Sequence, residues 1–290
     1  MNILVTGSKG QLGNELQKIA FTDRVHHWHF TDVDELNITQ KDDVEAFFAF
    51  NEIEVCINCA AYTAVDKAED EPELAERINA LAVGVLAEAC KKNNALLIHI
   101  STDYVFDGEN FMPYTETDPI SAISAYGKSK ARGEAILYGH SCHSIVIRTA
   151  WLYSSFGNNF VKTMLRLGKE RPDLKVVADQ VGTPTWAFDL AWAIMLFVDK
   201  YDKQYVKDIY HFSNEGAISW FDFAKAIMEI GGLSCAVRAI PSSEYPVKTK
   251  RPFYSVLSKE KFKTKMQVNI PYWKDSLAKC IHELNGKEQA

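Results

Sequence analysis

Tyr126 and Lys130 stand four residues apart in the stretch Tyr126-Gly127-Lys128-Ser129-Lys130. At a helix start that spacing puts both side chains on one face. A phenol in water ionises near pH ~10, and an ammonium beside it favours the phenolate, so the pair predicts a group that exchanges a proton near neutral pH. Upstream, Ser101-Thr102-Asp103 closes an aliphatic run. A strand ending there places Thr102 at the edge where parallel sheets carry their chemistry, with a hydroxyl to offer to the same reacting oxygen. A tyrosine and a lysine at this spacing also describe many surface helices, so the assignment depends on what else the chain carries.

A second motif supplies that context. Gly7-Ser8-Lys9-Gly10-Gln11-Leu12-Gly13 follows a short aliphatic run directly and precedes a helical pattern. Glycine serves such a loop because the backbone must turn sharply and let a pyrophosphate approach with no Cβ in the way. The phosphates then meet free N–H groups and the positive end of the helix dipole. The spacing is G-x-x-G-x-x-G. Asp32 lies about 20 residues further on, where a carboxylate accepts hydrogen bonds from adenosine-ribose hydroxyls. Asp34 and Glu35 follow it, with no arginine or lysine close behind. A 2′-phosphate would meet repulsion there, so local charge leans toward NADH.

The elements needed to position these groups are visible in the pattern. Asn2–Thr6, Val25–Phe30, Glu54–Asn58, Leu96–Ser101 and Ser144–Arg148 read as strands. Leu12, Leu16 and Ile19 share one helical face, and Pro72–Cys90 reads as one helix begun by its proline. Helices are also predicted over Tyr126–Leu137, Asn159–Lys169, Ala187–Val198 and Pro271–Leu284, with another capped by Ser219 and stopped at Gly231-Gly232. Lys175–Ala178 reads as a short strand. Strands alternating with helices imply right-handed crossovers and a parallel sheet covered on both faces. The loops around Asp179–Thr185 and Pro241–Pro252 are rich in turn-forming residues and suit a mobile substrate side.

Composition narrows the class. The chain has 290 residues, a 47% hydrophobic content and a net charge of −6, enough apolar residues for a substantial core and too little charge imbalance for disorder. It lacks a basic stripe, which argues against nucleic-acid binding. Its longest apolar run, Leu190–Val198, is far short of the ~20 residues that a bilayer requires. The start, Met1-Asn2-Ile3-Leu4-Val5, does not read as a secretory signal, and six irregularly spaced cysteines do not form a disulfide framework. The expectation is a cytoplasmic protein with reduced thiols.

Taken together, the glycine spacing, the strand-end threonine and the tyrosine–lysine pair resemble the extended short-chain dehydrogenase/reductase family. Asn58 to Glu69, Ser101 to Phe106, Arg148 to Trp151, Gly157 to Phe160 and Asp179 to Thr185 look like the dTDP-4-dehydrorhamnose reductases within it, and the Thr63–Glu69 stretch is the most specific part. The resemblance implies a Rossmann-type α/β fold, a doubly wound parallel sheet with a smaller C-terminal substrate-binding lobe. It divides the chain into residues 1–150 for the dinucleotide and residues 151–290 mainly for the substrate, the two interleaved. It implies reduction of a dTDP-linked 4-keto-6-deoxy sugar, with Tyr126 giving the proton, Thr102 hydrogen-bonding the oxygen and Lys130 holding the nicotinamide ribose. Cofactor contacts would come from Gly7, Gly10, Gln11, Leu12, Gly13, Asp32, Ala60, Ala61, Tyr62, Tyr126 and Lys130. Substrate contacts would come from Val65, Asp66, Lys67, Thr102, Asp103 and Trp151, with Asn158, Asn159 and Arg251 at the diphosphate. Such reductases are described with NADPH, whereas Asp32–Glu35 favour NADH, so dual use is expected.

Departures from the pattern sharpen the reading. Asp103 is followed by Tyr104 where sugar-nucleotide dehydratases carry a glutamate, which fits a simple reductase. Some relatives bind magnesium at a dimer contact. Glu15 resembles one of those positions, but Phe188 stands where a second carboxylate is expected. A homodimer and magnesium are left open, with no metal ligand assigned. Cys56-Ile57-Asn58-Cys59 lies on a predicted strand, where residues three apart point to opposite faces, so it makes no redox pair. His26-His27-Trp28-His29 reads as strand surface, and the Trp220, Phe221 and Phe223 helix as core. Two other classes stay open: a non-catalytic NAD(P)-binding regulatory subunit, and a reductase or epimerase of another sugar nucleotide.

Overall fold

Aliphatic and β-branched runs become the strands of one sheet in the computed structural model, which describes residues 1–204 and 206–288. Tyr205, Gln289 and Ala290, part of the 151–290 lobe, lie outside the described residues. In chain order the strands are β1 (Asn2–Thr6), β2 (His27–Thr31), β3 (Val55–Asn58), β4 (Leu96–Thr102), β5 (His143–Thr149) and β6 (Lys207–His211). They pair in parallel in the spatial order β2-β1-β3-β4-β5-β6. The chain runs outward from β1 to β2 and returns to the other side of β1 at β3. Ligands of such sheets bind in the crevice beyond the strand ends at that reversal.

Side-chain alternation along the strands divides the core between two faces. Ile3, Val5, Ile57, Ile98 and Ile147 pack against Leu12 and Leu16 of helix α1 (Gln11–Thr22) and against Leu190, Ala191 and Ile194 of helix Ala187–Asp199. Leu4, Cys56, Leu97 and Val146 face the other way, onto Val44 and Phe48 of helix α2 (Lys41–Phe50) and onto Val83, Leu86 and Cys90. A separate core lies beyond the sheet, where Tyr153, Met164, Trp186, Phe223, Ile227, Trp273 and Leu277 pack together. Its helix Trp220–Ile230 is started by a capping box: Ser219 accepts from the Asp222 N–H, and Asp222 accepts from the Ser219 N–H.

Several elements differ from the sequence reading. Strand β2 begins two residues later than expected, because Asp23 accepts the Val25 N–H and holds a turn there. The single helix expected over Pro72–Cys90 is interrupted: Pro72–Glu76 and Ala82–Lys92 flank a π turn at Arg77–Leu81. π turns of this kind concentrate at functional sites. Helix α2, strand β6 and the strand Ala236–Ile240, which pairs with Asp173–Val177, were not anticipated. Among the described residues no helix is long and apolar enough to cross a membrane.

Candidate active site

The first strand delivers the chain to Gly7, whose φ of +66° is a conformation L side chains rarely adopt. A Cβ there would lie 2.6 Å from the Ala60 nitrogen. The loop therefore presses directly onto the segment leaving β3, and α1 starts at Gln11 with its first N–H groups facing the opening. A cleft of about 530 Å³ results, lined by Gly7, Gly10, Asp32, Cys59, Ala60, Ala61 and Arg77 among others. Its glycine cradle and helix start fit a dinucleotide pyrophosphate. Leu12 is core, and Gln11 reaches sideways to accept a hydrogen bond from Asn159 at 2.9 Å.

Asp32 lines this cleft with both carboxylate oxygens already accepting main-chain N–H groups, from Val33 at 2.8 Å and Lys9 at 3.1 Å. Each oxygen keeps a second lone pair for a ribose hydroxyl. No arginine or lysine follows Asp32 closely, yet a cation does stand by the acidic run. The Lys9 ammonium, from the glycine loop, sits 3.2 Å from Asp34 and 2.9 Å from Glu35. Only residues after Asp32 were weighed in the sequence, whereas the cation comes from before it. The repulsion expected for a 2′-phosphate is thereby reduced.

Tyr126 lies in the first turn of helix Ala125–Gly139, which Ser124 caps by accepting the Gly127 N–H at 3.0 Å. Gly133 lets this helix cross the π turn closely, since a Cβ there would lie 2.1 Å from the Asn79 carbonyl oxygen. The Asn79 amide clamps both main-chain groups of Tyr62, at 2.8 and 3.0 Å, and donates to Ser129 at 3.0 Å. One buried asparagine thus joins the cofactor-side loop to the Tyr126 helix. The Tyr62 hydroxyl donates to Glu71 at 2.6 Å.

The groups expected to react are buried together. The Thr102 hydroxyl donates to Asp103 at 2.9 Å and stands beside the Tyr126 phenol. The Tyr104 and Tyr126 rings meet edge to face at 5.5 Å. Burial pushes the Tyr126 phenol above its ordinary range, and the neighbouring Thr102 hydroxyl opposes this only in part. The expected tuning by Lys130 is not the arrangement observed. Its ammonium donates to the Ile100 carbonyl at 2.6 Å and approaches His99, while burial lowers its pKa to about 8. Asp103 is buried with one carboxylate oxygen unpartnered, and burial raises it to about 6. Beneath these groups, Glu134 accepts from Ser101 at 2.5 Å and pairs with buried Arg148 at 2.7 Å, tying β4 and β5 to the helix.

A second cleft, of about 370 Å³, opens on the other side of Tyr104. Asp66, Tyr104, Phe160, Lys175, Gln180, Trp220, Tyr245 and Arg251 line it. Arg251 pairs with Asp66 at 2.6 Å and donates to the Tyr104 hydroxyl at 3.3 Å. Val65 and Lys67 flank Asp66 in the short helix Val65–Ala68. The two loops expected to be mobile are pinned to each other, with Gln180 donating to Ser242 at 2.9 Å and Ser242 N–H to Asp179 at 2.8 Å.

Two substrate assignments change. Trp151, at φ +47°, stacks behind Trp220 at 3.5 Å, and it is Trp220, read from sequence as core, that faces the cleft. Asn159 caps helix Phe160–Glu170 and donates to Gln11 and the Ser154 carbonyl, so its amide is committed to joining the lobes. Asn158 is exposed beside the turn at Gly157. Lys9, Arg77, Tyr104, Gln180 and Trp220 were missed. Each reaches its cleft from a separate segment, and only Lys9 carried a local signal, inside the glycine motif itself.

Glu15 is buried and engaged by Ser154 at 2.6 Å and Lys18 at 2.8 Å. Among the described residues no group of three His, Cys, Asp or Glu could hold a metal ion, so nothing there supports the magnesium left open.

The family model described as RmlD substrate binding domain matches residues 1–285. The chain belongs to this family. The dTDP-4-dehydrorhamnose reductase of Aggregatibacter actinomycetemcomitans is 41% identical over 283 residues, 95% of this chain and 96% of that protein. Among solved structures, a dTDP-4-dehydrorhamnose reductase from Clostridium acetobutylicum superposes on this RmlD-family chain with a TM-score of 0.93 at 43% identity, covering 98% of this chain and 100% of that one. A Bacillus anthracis dTDP-4-dehydrorhamnose reductase, solved in complex with NADP, gives 0.91 at 36% identity over 97% and 99% of the two chains.

Proposed function

We propose that the chain reduces the C4 ketone of dTDP-4-dehydro-6-deoxy-L-mannose to give dTDP-L-rhamnose. The observation that carries this reading is the joint burial of Thr102 and Tyr126, set between a glycine-cradled cleft and a cleft walled by Asp66, Tyr104 and Arg251. When bound, a reduced nicotinamide cofactor supplies the hydride that adds to C4. Tyr126 gives the proton that completes the alcohol. A phenol held protonated by burial at neutral pH suits that direction of transfer. Thr102 holds the carbonyl oxygen against the phenol, and Lys130 supplies positive charge under the cofactor side. Arg251 offers a guanidinium to the diphosphate, and Trp220 a flat apolar wall to the sugar or base.

Dual use of NADPH and NADH fits a site in which Asp32 accepts the Lys9 main-chain N–H while the Lys9 ammonium pairs with Asp34 and Glu35. The NADP bound by the Bacillus anthracis protein supports the phosphorylated cofactor as a ligand of this chain too. Residues 1–150 are assigned to the cofactor and 151–290 mainly to substrate, with Asp66, Thr102, Asp103 and Tyr104 crossing that division. The free thiols of Cys56, Cys90 and Cys142 support a cytoplasmic setting. A homodimer is a question for solution measurement.

The test is oxidation of NADPH and of NADH by the purified chain with the dTDP-linked keto sugar, beside UDP- and GDP-linked keto sugars. Turnover with the dTDP compound is expected, and Tyr126→Phe should lose roughly 10²- to 10⁴-fold in kcat while its cofactor Kd stays near wild type. Turnover that survives in the variant removes Tyr126 as proton donor, and none in the wild type removes the reductase reading.

A further inference from the structure

His99 is a buried imidazole that none of the chemistry above uses. It lies on β4, three residues before Thr102, between two polar partners. Its Nδ1 is 3.1 Å from the Asn58 side-chain nitrogen, and its Nε2 is 3.3 Å from the Lys130 Nζ. All three residues are almost fully enclosed, so these contacts are not shared with water.

The direction of the chain follows from one main-chain group. The Ala60 N–H donates to Oδ1 of Asn58 at 3.2 Å, and the Thr6 hydroxyl donates to the same oxygen at 2.8 Å. Two donors on that atom fix it as oxygen, so the end of the amide facing His99 is the NH₂ group. A neutral imidazole has one N–H and one lone pair. With Nδ1 accepting from Asn58, the ring's own proton sits on Nε2 and faces Lys130. Burial and the neighbouring ammonium keep the ring neutral. Lys130 therefore meets a hydrogen-bond donor where an ammonium needs an acceptor.

We propose that His99, locked in its Nε2–H form by the Thr6–Asn58–Ala60 chain, is a positioning residue that disfavours the ammonium form of Lys130 and offers a partner to the lone pair of its amine. Glu134 on the same helix acts in the opposite sense, favouring the ammonium, and Cys59 after β3 is kept a neutral thiol by burial. Tyr126, also on that helix, and the Ile100 carbonyl complete the surroundings named here. Burial lowers the Lys130 pKa first, and on this proposal the His99 N–H adds a directional contribution to it. The inference concerns the ionisation of one lysine and holds whichever sugar nucleotide the chain reduces.

The test uses nuclear magnetic resonance of the full chain. In ¹⁵N-histidine-labelled wild type, His99 should show a bare Nδ1 and a protonated Nε2, unchanged from about pH 6 to about pH 9. A protonated Nδ1 overturns the proposal without any variant being needed. The Lys130 ε-carbon, assigned by its loss in Lys130→Met, should titrate about one pH unit higher in His99→Phe, which keeps the ring volume and removes the N–H. An unmoved midpoint in a folded His99→Phe also overturns it. In Asn58→Asp the carboxylate accepts from the ring and should transfer the proton to Nδ1, a tautomer exchange that loss of packing alone does not produce. Failure of turnover with the dTDP sugar leaves these signals unaffected, so the two readings fail separately.

Discussion

The cleft beside Gly7 is fixed at several points by main chain, whereas the cleft beside Arg251 is lined by residues drawn from segments between Asp66 and Arg251. On the first side, Gly7 touches the Ala60 backbone, Asp32 is held by two N–H groups, and Asn79 grips the Tyr62 main chain. On the second, the fixed points are an ion pair, a tryptophan stack and a serine–aspartate contact. A wall of backbone is sensitive to shape and tolerant of charge. A wall of side chains is the reverse, and substitutions can separate the two.

The largest effect is expected from shape. Gly7→Ala forces a Cβ into the Ala60 backbone at a positive φ, and should weaken cofactor binding by about 100-fold or more, read as Kd by fluorescence titration. If the Kd is unchanged, the backbone does not set that cleft. Next comes charge. Asp103 is raised from 3.8 to about 6 by burial, so its ionised form is less favourable in the folded protein than in the unfolded chain. The folded state therefore gains from this group as pH falls through about 6, and the penalty is fully present near pH 7. Asp103→Asn should raise thermal stability near neutral pH by about 1–3 kcal/mol, lower kcat/KM for the sugar, and leave the cofactor Kd alone. A stability loss would show that its hydrogen bonds outweigh its burial. The smallest change is Arg251→Lys, which keeps the charge and loses the planar fork. It should raise the substrate KM by about tenfold with little change in kcat. An equal rise in the cofactor Kd would show that the clefts are not separable.

The same contrast explains what could be read in advance. The glycine loop, the strand-end threonine and the tyrosine–lysine pair are short local patterns, and each lies where its spacing placed it. β6 was not read because Lys207-Asp208-Ile209-Tyr210-His211 mixes charge with apolar residues and is recruited by β5 from far along the chain. The interruption of Pro72–Lys92 escaped because periodicity does not record one widened turn, and the contacts Asn79 makes from it to Tyr62 and Ser129 are tertiary. Trp220 and Trp151 exchanged places for a similar reason. Both are aromatic residues next to helical or strand patterns, and periodicity does not say which of two stacked rings lines the opening.

The late arrival of β6 bears on synthesis at the ribosome. A nascent chain that has emerged only as far as Ala150 already holds five strands, but β5 then forms an outer border whose backbone donors and acceptors on one side await Lys207–His211. Bare borders of this sort invite pairing with other chains. Residues 1–150 are therefore not a unit to be cut out and expressed alone: the last stitch of their sheet is made only after the 56 residues 151–206 have followed them out.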